Sequence, residues 1–154
     1  MILFRLCREI YSRDLTGKGA EKSGGRWNSK GNPMLYTSET RALCLAEMMV
    51  NLPINLIPKD FSMVSIFVPD ELRIQTLNLE HLPADWNLFP HSRSTQKLGD
   101  DFIYEGKFIA LRVPSVVVPL EYNVVINPRH PEIDRVKITE VNAFSIDARL
   151  LESK

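Results

Sequence analysis

Strand-like runs crowd the second half of this 154-residue chain, whereas only two stretches carry a helical repeat. The runs fall at 109–113, 116–118, 122–126, 135–139 and 144–150, separated by turn residues such as Asn127-Pro128. A short strand is expected at Ile2–Leu6. A covered one is expected at 61–68, FSMVSIFV, which is apolar on both alternating faces. The first helical pattern is 39–52, ETRALCLAEMMVNL, with Thr37-Ser38 as its N-cap and Pro53 as its stop. Ser94 or Thr95 caps the second, which runs to about Lys107 with Leu98, Phe102 and Ile103 on its inner side. A doubly wound parallel sheet needs strands and helices in strict alternation. This order predicts an α+β fold on mixed or antiparallel sheets with flanking helices, and the length fits one domain over 1–154.

Residues 16–34, TGKGAEKSGGRWNSKGNPM, hold five of the seven glycines and almost no aliphatic side chains. They read as a long loop, and long loops in compact domains tend to carry function. The stretch is neither GxxxxGK[ST] nor a GxGxxG set between a strand and a helix, so neither nucleotide fingerprint applies. Residues 69–93, rich in Pro, Asn and His, read as irregular.

Composition removes several function classes. Lys plus Arg and Asp plus Glu both number 19, so the chain has no general electrostatic reason to coat nucleic acid or an anionic membrane. An anion must therefore be met by a local site. Cys7 and Cys44 make no disulfide framework or zinc motif, and His81, His91 and His130 stand singly, so no metal is expected. The N-terminus lacks the pattern of a signal peptide, and no stretch approaches the ~20 apolar residues of a membrane helix. A cytoplasmic protein is expected.

Four side chains are candidates for chemistry. Arg26 follows Gly24-Gly25, where glycine permits close approach of a ligand and a planar guanidinium suits a diphosphate. A solvated surface Arg beside a core Trp27 is the plainer reading. Glu47 shares its helix face with Leu43, Cys44, Val50 and Asn51, so its carboxylate must be paired, hydrogen-bonded or held at a pocket edge. An ion pair to a structural Arg and a catalytic role stand level for it. Tyr36 precedes that helix, within reach of Arg26 and Glu47, with an ordinary core tyrosine as the plainer reading. Ser115 interrupts an apolar run after Pro114; it either lines a cleft or bonds a neighbouring strand. GxSxG is absent and no Ser-His-Asp set is assignable. His130, in the turn Asn127–Pro131, reads as a capping or packing residue.

The ordered series GGRWNSKGNPMLYTS, ALCLAEMM, LGDDF, ALRVPSVVVPLEYNVVINPRHP and FSIDARL resembles the RES domain, a family named for an arginine, a glutamate and a serine. The resemblance spans nearly the whole chain and is weakest over about 53–93. It places the family residues on Arg26, Glu47 and Ser115 and the accompanying tyrosine on Tyr36. Phe102 stands where the family often has Trp, a change expected to touch packing more than chemistry. The resemblance implies an ADP-ribosyltransferase-like fold and a toxin that cleaves NAD at the nicotinamide–ribose bond by hydrolysis or phosphorolysis. NAD is then a substrate, and no cofactor is implied. Glu47 and Ser115 become the catalytic pair, with Arg26 and Tyr36 binding NAD. The implied partner is a helix-turn-helix antitoxin that covers the pocket; a homodimer or a larger assembly with the antitoxin stays open. Two alternatives also stay open: a protein mono-ADP-ribosyltransferase, and a non-catalytic module binding ADP-ribose or protein.

Overall fold

The computed structural model describes residues 1–52 and 60–151. A seven-stranded sheet forms its frame: β1 (Ile2–Arg8), β2 (Leu35–Ser38), β3 (Phe61–Phe67), β4 (Ile74–Thr76), β5 (Ala110–Pro114), β6 (Tyr122–Ile126) and β7 (Lys137–Phe144), in the spatial order β4-β5-β6-β2-β1-β3-β7. All pairings are antiparallel except β4 with β5. Among the described residues three α-helices accompany it: α1 (Lys18–Ser23), α2 (Arg41–Asn51) and α3 (Arg93–Glu105). The fold is α+β on a mixed sheet.

Alternation along the strands sorts side chains to two faces. Leu35, Val124, Ile126 and Ala110 join Leu3, Val64 and Ile66 in one core. Leu111, Val113 and Val125 join Trp27, Met34, Phe102 and Ile103 in the other, beneath α3. β3 is buried through six consecutive positions because β1 and β7 flank it and both its faces are covered. Phe102 packs beside Trp27, so the substitution noted at this position is met by packing.

β1 and β2 pair at one position only, Phe4 with Ser38. Elsewhere β1 stays with β3 and β2 stays with β6. The sheet therefore divides here, and the division opens a cleft.

Several sequence expectations shift. The glycine-rich segment is not all loop; it contains α1, a six-residue helix too short to show an apolar stripe. Thr37 and Ser38 end β2, and the cap of α2 is Thr40, whose hydroxyl accepts from Leu43 N at 3.1 Å. The stop assigned to Pro53 lies outside the described residues. Ser92, not Ser94 or Thr95, caps α3, and Gly106 with φ of 59° ends it in the left-handed region. The irregular 69–93 stretch supplies the parallel edge strand β4. Residues 116–118 form a turn, because the Ser115 hydroxyl accepts from Val117 N and Val118 N. FSIDARL alternates, but only its first residue, Phe144, pairs, with Phe61; β7 ends there and a 3-10 turn follows at Ala148–Leu150.

A close backbone contact joins α3 to the Gly24–Ser29 turn. A Cβ at Gly99 would lie 1.7 Å from the carbonyl oxygen of Trp27. Gly99→Ala is expected to cost about 3 kcal/mol or more, because backbone must move to admit it. Gly19, inside α1, has nothing within 4 Å of its Cβ position, so Gly19→Ala is expected to be neutral or stabilising by up to ~1 kcal/mol. Urea denaturation of the two variants beside the parent measures both; equal effects would contradict the close-approach argument.

Candidate active site

The turn that carries Arg26 is fixed from three sides. Gly25 and Asn28 form a bridge across it. From α3, Gln96 Nε2 donates to Gly25 O and Asn28 O, and Asp100 accepts from Ser29 N and from the Ser29 hydroxyl. From β2, the Tyr36 hydroxyl accepts from Trp27 N at 3.0 Å and donates to Asn28 Oδ1 at 2.8 Å. Gly25 must be glycine for this to close: its Cβ would sit 2.5 Å from that hydroxyl. Trp27 buries its ring in the core under α3, at a gain of roughly 1.5–3 kcal/mol for a side chain of this kind.

Arg26 projects from this turn into the cleft. Its Nη1 donates to Trp86 O at 2.7 Å and Leu88 O at 2.9 Å, pinning the segment that follows the edge strand. Among the described residues, its Nε and Nη2 have no protein partner. Burial lowers the pKa of this guanidinium, and the charge of Glu47 works against the shift. An arginine stays charged under such a shift, so the cleft keeps a partly desolvated cation. It is not the solvated surface Arg of the plainer reading.

Glu47 lies on α2 opposite this turn. Its Oε1 accepts from the Ser115 hydroxyl at 2.7 Å and from Asn123 Nδ2, while Asn123 Oδ1 accepts from the Ser38 hydroxyl at 2.6 Å. Among the described residues Oε2 has no protein donor, and no Lys or Arg forms an ion pair with Glu47. The partners that satisfy it are neutral. The single proton of Ser115 is spent on Glu47 and its lone pairs on two backbone amides, so Ser115 reaches the cleft only through Glu47.

The cleft has two lobes. The outer lobe, named for its place beside the exposed Phe89 although it is the more enclosed of the two, has about 670 Å³ and takes in Arg26, Phe89, His91, Val50 and Val117. The inner lobe, about 420 Å³, lies where β1 and β2 part and is lined by Leu6, Cys7, Ser38, Cys44 and Met48. Tyr36, Glu47, Asn51 and Asn123 border both lobes. Burial pushes the Cys44 thiol up to about 11, so it stays protonated and is no nucleophile at neutral pH. Burial, then the Arg26 charge, lowers the His91 pKa, which favours its neutral form. His130 has the capping role read for it: its Nδ1 accepts from Glu132 N at 3.1 Å.

Arg26, Tyr36 and Glu47 thus converge on one cleft, and Ser115 stands directly behind Glu47. Sequence reasoning missed Asn123, whose signal was a lone amide within the apolar run YNVVI. It also missed Phe89 and His91, which the chain brings to the mouth from an irregular segment with no periodicity.

These features define a class: an α+β domain with a divided sheet, an anion-ready arginine and a carboxylate across one cleft. The chain belongs to the RES domain family, whose pattern matches residues 2–147. It is 36% identical over 159 aligned positions to Toxin Res of Photorhabdus laumondii, covering 100% of this chain and 99% of that one. It is 35% identical over 146 positions to the Prs ADP-ribosylating toxin of a Sphingobium species, covering 94% and 91%. The fold matches a chain of the M. tuberculosis MbcT–MbcA toxin–antitoxin complex with a TM-score of 0.74 at 16% identity, over 94% of this chain and 84% of that one. The chain shares the fold of that neighbour, and the α+β architecture on a mixed sheet is the one the sequence implied.

The Tyr36 hydroxyl generates a pH prediction. Burial raises its pKa above the ordinary value near 10. The unfolded chain therefore loses this proton first, and the stability it contributes is intact below about pH 10 and falls as pH rises further. Tyr36→Phe is expected to cost about 1–3 kcal/mol at pH 7, since Trp27 N and Asn28 Oδ1 lose their partner. Its denaturation midpoint is also expected to fall less steeply than the parent's between pH 10 and higher values. Parallel slopes would remove Tyr36 as a source of alkaline sensitivity.

Proposed function

We propose that this chain is the toxin of a bacterial toxin–antitoxin pair and acts by breaking the nicotinamide–ribose bond of NAD. The observation that carries the reading is the setting of Glu47, which borders both lobes with one carboxylate oxygen held by two neutral donors and the other open to the cleft. A dinucleotide needs two compartments joined at the reacting ribose, and this cleft has that form.

The chemistry follows from the residues. Cleavage breaks the bond between ribose C1′ and the pyridine nitrogen; nicotinamide leaves as a neutral molecule with the bonding pair. Positive charge builds on the ribose, as in glycoside hydrolysis. A carboxylate fixed beside that centre stabilises it without reorganising. Ser115 and Asn123 hold Glu47 in one orientation, so they act as positioning residues. Arg26 keeps its Nε and Nη2 for the diphosphate while Nη1 stays on the protein. Tyr36 serves by fixing the Arg26 turn and by offering its ring to the cleft wall. An oxygen of water or phosphate then bonds to C1′ and releases its proton to solvent.

The name of one relative favours a second reading of the last step, in which a protein side chain is the acceptor. The relatives named as toxins, and the neighbour solved with its antitoxin, support an antitoxin partner. We assign it a helix-turn-helix protein of the bacterial cytoplasm that covers the cleft mouth, where Val50 and Phe89 are exposed. Among the described residues no helix is long and apolar enough to cross a membrane.

Glu47→Gln tests the reading. A glutamine keeps an oxygen for Ser115 and Asn123, so melting temperature is expected to stay within a few degrees of the parent. Turnover is expected to fall on the order of 10²–10³, about 2.7–4 kcal/mol, with NAD affinity retained. Chromatography of NAD incubated with water, phosphate or cell extract counts nicotinamide and identifies the acceptor. A stable variant that releases nicotinamide at the parent's rate would overturn the role of Glu47.

A further inference from the structure

Phe89 is 84% exposed, an unusual place for a ring that would otherwise seek burial. It is not on a free-swinging loop. The carbonyls of Trp86 and Leu88 immediately before it are both held by Arg26 Nη1, and Asp85 accepts from the Ser94 hydroxyl at 2.6 Å. The backbone that presents the ring is thus fixed on two sides, and the ring itself borders the outer lobe.

The order of groups in a dinucleotide is base, ribose, diphosphate, ribose, base. Glu47 borders both lobes, whereas Arg26 and Phe89 border only the outer one. With the reacting ribose at Glu47 and the diphosphate at Arg26, the remaining nucleoside must continue along the outer lobe. Nicotinamide then falls to the inner lobe. The continuing nucleoside meets an uncovered aromatic ring carried on a held backbone.

We propose that Phe89 is a substrate-binding residue that stacks on the purine base of the dinucleotide, and that Arg26 sets its position through the carbonyls of Trp86 and Leu88. The inference rests on the NAD reading and adds to it the residue that recognises the second base. Because the backbone that carries the ring is held before the ligand arrives, the ordering cost of the stack is limited to the ring's own torsions. One guanidinium serves both ends: Nη1 holds the aromatic segment and the other nitrogens face the anion.

The test is calorimetric affinity for ADP-ribose, with NAD turnover and melting temperature measured on the same samples, for the parent, Phe89→Ala and Phe89→Tyr. Loss of a base stack is expected to weaken ADP-ribose roughly 5- to 150-fold in Phe89→Ala, and the tyrosine variant is expected to stay within about threefold of the parent. The loss should fall on Kd and on KM for NAD rather than on kcat. An alanine variant that binds within twofold of the parent overturns the inference, as does a tyrosine variant as weak as the alanine one. In both cases parental NAD cleavage leaves the proposed activity standing. A parent that neither binds ADP-ribose nor cleaves NAD overturns the activity itself, and the inference with it.

Discussion

The cleft depends on a contact made possible by a missing side chain. The carbonyl of Trp27 lies where a Cβ on Gly99 would be, so α3 and the Gly24–Ser29 turn touch backbone to backbone. At that range Gln96 and Asp100, on the same helix, reach the turn and hold it at both ends. Tyr36 closes it from the sheet. Arg26 inherits its direction from this arrangement and passes it on to the Trp86–Leu88 segment. A wider separation would loosen each of these in turn, because hydrogen bonds fail within a fraction of an ångström beyond their normal length.

The opposite wall is built on different physics. A carboxylate on a helix with Leu43 and Cys44 buried beside it would be costly if left without donors. The fold meets the cost with a chain of neutral groups: Ser38 to Asn123, Asn123 and Ser115 to Glu47, and two backbone amides to Ser115. A lysine or arginine partner would satisfy Glu47 equally well and would neutralise it as a stabiliser of positive charge. Neutral donors fix its orientation and leave its charge to act across the cleft.

Much of the frame was legible because alternation is a short-range signal. The buried run at β3, the strands β5 and β6, and the helices carrying Glu47 and Phe102 all follow from residues within one or two turns of each other. The ends were less legible, since caps depend on which hydroxyl the fold leaves free: Ser38 was drawn to Asn123 and Ser94 to Asp85, so Thr40 and Ser92 capped instead. FSIDARL shows the limit of alternation, which makes a strand only where an edge is available to pair. The site residues were legible as candidates and their division of labour was not. Nothing local to Ser115 says that its one proton goes to Glu47, 68 residues earlier.

The same division explains how a chain of zero formal net charge can hold an anion. No broad field draws the ligand in; one guanidinium, partly desolvated and without an ion pair among the described residues, offers its unspent N–H groups inside a cleft. Local desolvation strengthens that interaction relative to water. It also confines it, because screening leaves little of it beyond the cleft mouth. Recognition of the rest of a ligand then falls to shape and apolar contact, which is what the walls supply: Val50, Val117 and Phe89 in the outer lobe, Leu6 and Met48 in the inner. Between these walls the two charges that face each other across the outer lobe are the Arg26 guanidinium and the Glu47 carboxylate, and the proposed reaction would use one for an anion and the other for a developing cation.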